Sequence, residues 1–253
     1  MKKNIKIILI FALLILLAVA IVYATNVTTP ESDVTHKVSP ASISLSSDVL
    51  AKLGSDTSNL NSKVVYDELQ SKTIYEIENS KYFIDMDTNN NLVGIHSKAI
   101  SATMEASNST YDMAREFITQ KYKQLDLPDD YELNYLEKYD DLIWQANFEK
   151  NYNGIYNKYE SVKVYFIPDS DEIVALGVFR DAPATTDVKI SEEMAVQTAS
   201  KDNQAEIVST TLGMEKADDN KIHSAYVVTY SDNNIVYVDA ESNQIIGGDT
   251  INE

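Results

Sequence analysis

Asp85, Asp87, Asn89 and Asn91 alternate along the chain as the oxygen donors of the first half of a calcium loop do. Asn90 stands where such a loop needs glycine, and His96 where it needs a bidentate glutamate. The run therefore reads first as a solvated hairpin turn, because Asp and Asn are what turns select. The four residues remain the weak metal candidates of the sequence. The acidic pairs Asp169/Asp171 and Asp239/Glu241 read as turn residues in the same way.

Other catalytic chemistry has little to work with. The three histidines, His36, His96 and His223, are scattered. There is no HExxH pair to hold zinc, no GxSxG elbow to expose a serine, and with 7 glycines no glycine-rich phosphate loop. No cysteine is present, which removes disulfides, thiolate nucleophiles, cysteine-ligated metals and a lipidated cysteine anchor. No catalytic residue and no cofactor is implied.

The 16 tyrosines are the least ordinary feature of the composition. Many crowd one stretch, around the single tryptophan. Rings with a polar edge suit recognition surfaces, although strand faces also take up tyrosine by plain propensity. Tyr131, Tyr135, Trp144, Tyr152, Tyr156, Tyr226 and Tyr237 are the candidate partner-binding residues. The formal charge of −18 opposes contact with nucleic acid, whose phosphates would repel it.

These residues need elements to position them. Lys2, Lys3 and Lys6 precede about 18 uncharged, mostly aliphatic residues, Ile7–Ala24, close to what a helix needs to span a bilayer. The flanking charges predict a single-pass membrane segment over residues 7–24 with everything beyond it outside the cell membrane. Val22-Tyr23-Ala24 also suits signal peptidase, so a secreted form cleaved after Ala24 stays open beside the uncleaved signal anchor. Residues 25–63 are rich in Ser, Thr, Asp and Asn and read as a flexible linker, in which Ser47–Leu53 could form a helical turn stopped by Gly54.

From Val64 onward the pattern is that of strands and a few helices. Thr73–Glu78, Lys81–Asp87 and Leu92–His96 read as a first hairpin. Tyr111, Ala114, Ile118, Tyr122 and Leu125 form one apolar stripe at helical spacing within Ser109–Leu125, with Ser109 as the expected cap. Strands are expected at Tyr131–Lys138, Leu142–Lys150, Ser161–Ile167 and Glu172–Arg180. After a linker at 181–187, Ser191-Glu192-Glu193 opens a second helix. Ala205–Met214 reads as a further helix ended at Gly213, because Val208 and Leu212 have helical spacing. Strands then follow within Ile222–Asp249, with Tyr226, Val228 and Tyr230 on one face.

Ile190-Ser191-Glu192-Glu193-Met194-Ala195, Tyr226-Val227-Val228, Val236-Tyr237-Val238-Asp239-Ala240 and Asn243-Gln244-Ile245-Ile246-Gly247 together resemble a PepSY domain. The resemblance covers about Lys189–Gly248, and Ser109–Arg180 resembles the same unit in outline, as in tandem repeats of the YcdB/YcdC type. Ala225-Tyr226 stands where the family often has Trp, and Ser242-Asn243 where it has Thr-Gly. The implied fold class is α+β: two PepSY-like units, each a helix packed on an antiparallel sheet, after an N-terminal transmembrane helix. The domains are expected at 1–24 (anchor), 25–63 (linker), 64–186 (hairpin plus first unit) and 187–253 (C-terminal unit).

The resemblance implies a non-catalytic extracytoplasmic module that binds or restrains a peptidase or another cell-envelope protein or peptide. An exposed sheet edge would offer strand addition as the binding mode. The alternative is a module for a cell-wall polymer or calcium, using the tyrosines or the acidic turns.

Overall fold

The computed structural model describes residues 37–67, 72–99, 108–201, 203 and 205–250. The predicted membrane segment 7–24 and His36 lie outside the described residues. Among the described residues no helix is long and apolar enough to cross a membrane.

The fold is α+β and dominated by antiparallel sheet. It is one motif used three times: a helix followed by a four-stranded meander. The first unit comprises α1 (Pro40–Lys52), β1 (Asn61–Asp67), β2 (Lys72–Glu78), β3 (Tyr82–Asp87) and β4 (Leu92–Ser97). The second comprises α2 (Tyr111–Gln124), β5 (Tyr131–Lys138), β6 (Trp144–Tyr152), β7 (Ile155–Ile167) and β8 (Glu172–Arg180). The third comprises α3 (Glu192–Ala199), β9 (Ile207–Lys216), β10 (Ile222–Tyr230), β11 (Asn234–Asp239) and β12 (Ile245–Thr250).

The first two units share one sheet. Its order is β1-β2-β3-β4-β8-β7-β6-β5, so the two meanders join through their last strands. Ile77, Ile84 and Ile95 from the first unit and Ala146, Val164 and Phe166 from the second point to the helix side, where they form one core with Leu50 of α1 and Ile118 of α2. Phe117 stacks on Phe166 and Tyr122 on Phe148, fixing α2 across the sheet. The third unit has its own sheet, β12-β11-β10-β9, and a smaller core of Ala195, Ala199, Tyr226, Val228, Tyr230 and Val238. It docks on the second unit through Ile155, Met214 and Ile222, and through Lys158 Nζ, 2.9 and 2.8 Å from the two carboxylate oxygens of Glu215.

Several expectations change here. The linker expected at 25–63 is not one over its described part. Ser39 caps α1, Pro40 starts it, and Val49, Leu50 and Leu53 enter the shared core, so a Ser-rich segment is docked helix. The hairpin placed before the first unit is three strands of a full unit, completed by β1. Ala205–Met214 is not a helix: β9 pairs along β10 from Ile207 to Lys216. The cap of α2 is Thr110, whose side chain accepts from the Met113 amide, while Ser109 bonds Asp169. Of the α2 stripe, Ala114, Ile118, Tyr122 and Leu125 are buried and Tyr111 is exposed. Ser191 caps α3 as expected, accepting from the Met194 amide at 3.3 Å.

Candidate functional site

The side of the shared sheet away from the helices is uncovered over its centre, while Ile74, Glu76, Glu149 and Ser161 on the same side are buried. Strand alternation puts Phe83 and Asp85 of β3, Gly94 and His96 of β4, Ala175, Gly177 and Phe179 of β8, Lys163 and Tyr165 of β7, and Tyr135 of β5 on it. The centre is low, because Gly94 lies opposite Gly177 and His96 opposite Ala175. The glycines let neighbouring side chains lie flat on the strands. A Cβ at Gly94 would come within 3.1 Å of His96 Nε2, and one at Gly177 within 3.2 Å of the Phe179 ring. Rings and cations line the floor: Lys98 Nζ lies 4.4 Å from the Phe83 centroid and Lys163 Nζ 5.4 Å from that of Phe179. Tyr139 meets Tyr165 edge to face at 5.4 Å.

His96 Nε2 sits 3.3 Å from Asp85 Oδ2. Hydrogen bonding to Glu137 pushes the Tyr135 hydroxyl up to about 12, and burial raises that of Tyr165, so both remain protonated donors at neutral pH. The arrangement can stack on a planar or extended ligand and donate hydrogen bonds to it.

The expected partner-binding residues divide into two groups. Tyr131 and Trp144 are buried in the shared core and Tyr226 in that of the third unit, so these three are corrected from surface contacts to packing residues. Their alternation puts them on the helix side of their sheets, where ring area is worth most. Tyr226 donates to the Ile190 carbonyl at 3.2 Å, and burial pushes the Tyr131 hydroxyl up to about 12.

Tyr152, Tyr156 and Tyr237 are half-buried and donate to Glu160, Glu132 and Asp249 respectively. Of the seven, Tyr135 lies on the uncovered face, and the register puts Tyr156 on the same side of the sheet, opposite Asn151 and bonded to Glu132. Phe83, Phe179, Lys163 and Tyr165 were missed there. The signal for them was the period of two through Lys163, Tyr165 and the strand at 172–180, read against a core on one side only.

The acidic run is resolved as a turn. Asp87 Oδ1 accepts from the Asn89 and Asn91 amides at 2.9 and 2.7 Å, and Asp87 Oδ2 from the Asn91 side chain at 2.9 Å. Asn90 takes the left-handed conformation expected of a glycine, at φ 66°, and its side-chain oxygen binds Ser39 and Ser42 of α1. Asp85 points instead to His96. Among the described residues no three acidic or histidine side chains converge as metal ligands. Asp87→Ala is expected to lower stability by about 1–2 kcal/mol in calcium-free buffer, measured by urea unfolding. A loss appearing only with calcium present would assign Asp87 to a cation instead.

Comparison with known proteins gives a fold. The chain resembles the C-terminal domain of YpeB from Bacillus megaterium. The match has a TM-score of 0.50 and 13% sequence identity, and covers 86% of this chain and all of that one. No family model and no curated protein matches. At that identity the likeness concerns the arrangement of helices and strands. It extends over far more of the chain than the sequence resemblance at Lys189–Gly248, consistent with the motif being present three times.

Proposed function

We propose that this protein is a non-catalytic binding module held outside the cell membrane, where it engages a peptidase or another cell-envelope protein through the uncovered face of its eight-stranded sheet. The observation that carries the reading is that face itself. An antiparallel sheet commonly leaves one face to water and lines it with polar side chains. Here Phe179 and Tyr139 are exposed and Phe83 and Tyr165 half-buried beside Lys98, Lys163 and His96, around a floor of Gly94, Ala175 and Gly177. Aromatic and cationic groups on an otherwise acidic chain give a partner both contact area and a charge pattern to read. The non-catalytic part of the proposal rests on the sequence, which lacks the motifs that assemble a nucleophile, a metal or a phosphate loop. The extracytoplasmic part rests on the basic residues and apolar run at the N-terminus.

The full chain in mild detergent, used as bait in cell-envelope extract at low salt, is expected to retain a protein partner. Phe179→Glu, on the exposed end of β8, is expected to reduce that retention at least about tenfold, as loss of a central aromatic contact does at other interfaces. Retention of no protein, or retention indifferent to the substitution, rejects the proposed surface. Retention of soluble wall fragments in place of protein would favour the wall-polymer alternative.

A further inference from the structure

The three units repeat down to the backbone of their last strands. In each, a residue in the left-handed conformation ends the turn before that strand: Asn90, Asp171 and Asn243, at φ 66°, 54° and 60°. The third residue after it is a bulge in each case, Val93, Val174 and Ile246, which the register leaves unpaired against the preceding strand. The fourth residue, Gly94, Ala175 or Gly247, then pairs with Asp85, Tyr165 or Tyr237.

In the first two units these strands complete one another. Gly94 faces Gly177, Ile95 faces Leu176 and His96 faces Ala175. Ile95 and Leu176 are both the fifth residue after the left-handed one, so the seam has a local two-fold axis between them. The helix ends meet above it: Gln124 Nε2 donates to the Lys52 carbonyl at 2.5 Å. The third unit has the same strand, and among the described residues no unit lies beside it, so β12 is an outer strand of its sheet. Ile245 shows what is missing. Its equivalents are Leu92, packed against the shared core, and Ile173, fully buried within it, whereas Ile245 is 45% exposed. Beside it lies an open groove of about 440 Å³, lined by Ala199, Asn203, Val236, Ile245, Asp249 and Thr250.

We propose that β12 pairs with β12 of a second copy, in the register of β4 with β8, to make a homodimer with a second eight-stranded sheet. The occupant is a second copy because the seam is two-fold symmetric and only a strand of this pattern reproduces it. The register follows: Gly248 faces Gly248 of the other copy, and Gly247 faces its Asp249. Each Asp249 then lies opposite a glycine, and the two carboxylates sit about 8 Å apart on one face, given strand rise and spacing. Their repulsion is screened by salt, so the dimer strengthens as ionic strength rises. This pairing leaves the uncovered face of the first sheet free and holds whether or not that face binds a partner.

The chain lacks cysteine, so a single introduced thiol reports the contact. Full-length Asp249→Cys in native membranes, treated with a short bismaleimide, is expected to give a band at twice the chain's mass. Val208→Cys on β9, at a residue 65% exposed, is expected to give none. Adding Ile245→Glu to Asp249→Cys, at a position already exposed and so without harm to folding, is expected to lower the yield at least about tenfold. No doubled band from Asp249→Cys, equal bands from both cysteine positions, or a yield indifferent to Ile245→Glu would each overturn the proposal.

Discussion

Leu50→Ala is expected to lower the stability of the shared core by about 2–5 kcal/mol, the range for truncating a fully buried leucine whose surroundings relax only in part. Leu50 has no exposed surface and belongs to the core that Ile77, Ile84, Ile118 and Phe166 share. The neighbours that would have to close over the cavity are held on both sides, by the sheet beneath and by α1 itself. Ser42 and Ser46 are also fully buried and leave no large side chain to swing in. Trp144, the single tryptophan, lies in the same core, so its fluorescence during urea unfolding of the full chain reads the loss directly. The midpoint should fall with an unchanged slope, because the exposed surface on unfolding is the same. Leu45→Ala, on the exposed side of the same helix, should shift it by less than about 0.5 kcal/mol. A Trp144 midpoint indifferent to Leu50→Ala would mean that α1 does not belong to this core.

The reason α1 was hidden from the sequence is the same as the reason it packs closely. Ile43, Val49, Leu50 and Leu53 give a stripe, but Ser42, Ser46 and Ser47 interrupt it, and small polar residues are also what linkers are made of. Only the approach of a sheet turns Ser42 and Ser46 into contact points. By contrast α2 was legible because its stripe is long and unbroken.

At β9 the departure from a helix has a different cause. Val208 and Leu212 are four apart, which is one face of a helix and equally one face of a strand, since four is even. The β-branched pair Thr210-Thr211 was the stronger signal, and pairing with β10 decides it. Both residues are exposed on that strand, so their apolar character marked neither core.

The candidate face was the least legible part. No single residue on it is unusual, and it exists because β4 meets β8, a pairing across 80 residues of chain that no local pattern encodes. Tyrosine counting pointed instead to the most crowded stretch, where Tyr131 and Trp144 serve the core. The repeat was visible as a hairpin pattern, but its first copy was hidden behind the Ser-rich helix. The left-handed Asn90 and Asn243, each followed four residues later by glycine, were the signature in plain sight.

Asp239→Ala is expected to destabilise the third unit by about 3–5 kcal/mol, because it removes one member of a buried, charged hydrogen-bond set and leaves the others without a partner. The Asp239 side chain is 4% exposed. Its Oδ1 accepts from the Glu241 amide at 3.0 Å, the Ser242 amide at 2.6 Å and the Ser242 hydroxyl at 2.9 Å, and its Oδ2 lies 2.8 Å from His223 Nδ1. Burial alone would raise the carboxyl, but the donors from Ser242, Glu241 and His223 outweigh it and hold Asp239 below its ordinary value near 3.8.

A carboxylate lowered on folding contributes stability above its unfolded value and loses it as pH falls through the folded one. The wild-type third unit is therefore expected to keep this contribution above about pH 4 and to lose it below, while Asp239→Ala shows no such dependence. Amide hydrogen exchange along β10 and β11 reads that unit without interference from Trp144 and the shared core. Asp239→Asn should fall between the two, since its oxygen still accepts from Glu241 and Ser242 while its amide confronts His223. Equal protection in Asp239→Ala and wild type at pH 7 would show that the turn holds itself. The expected order makes Asp239 the fastening of the turn that delivers β12 to the sheet edge, a structural duty that also accounts for an aspartate before Ala240 at the end of β11.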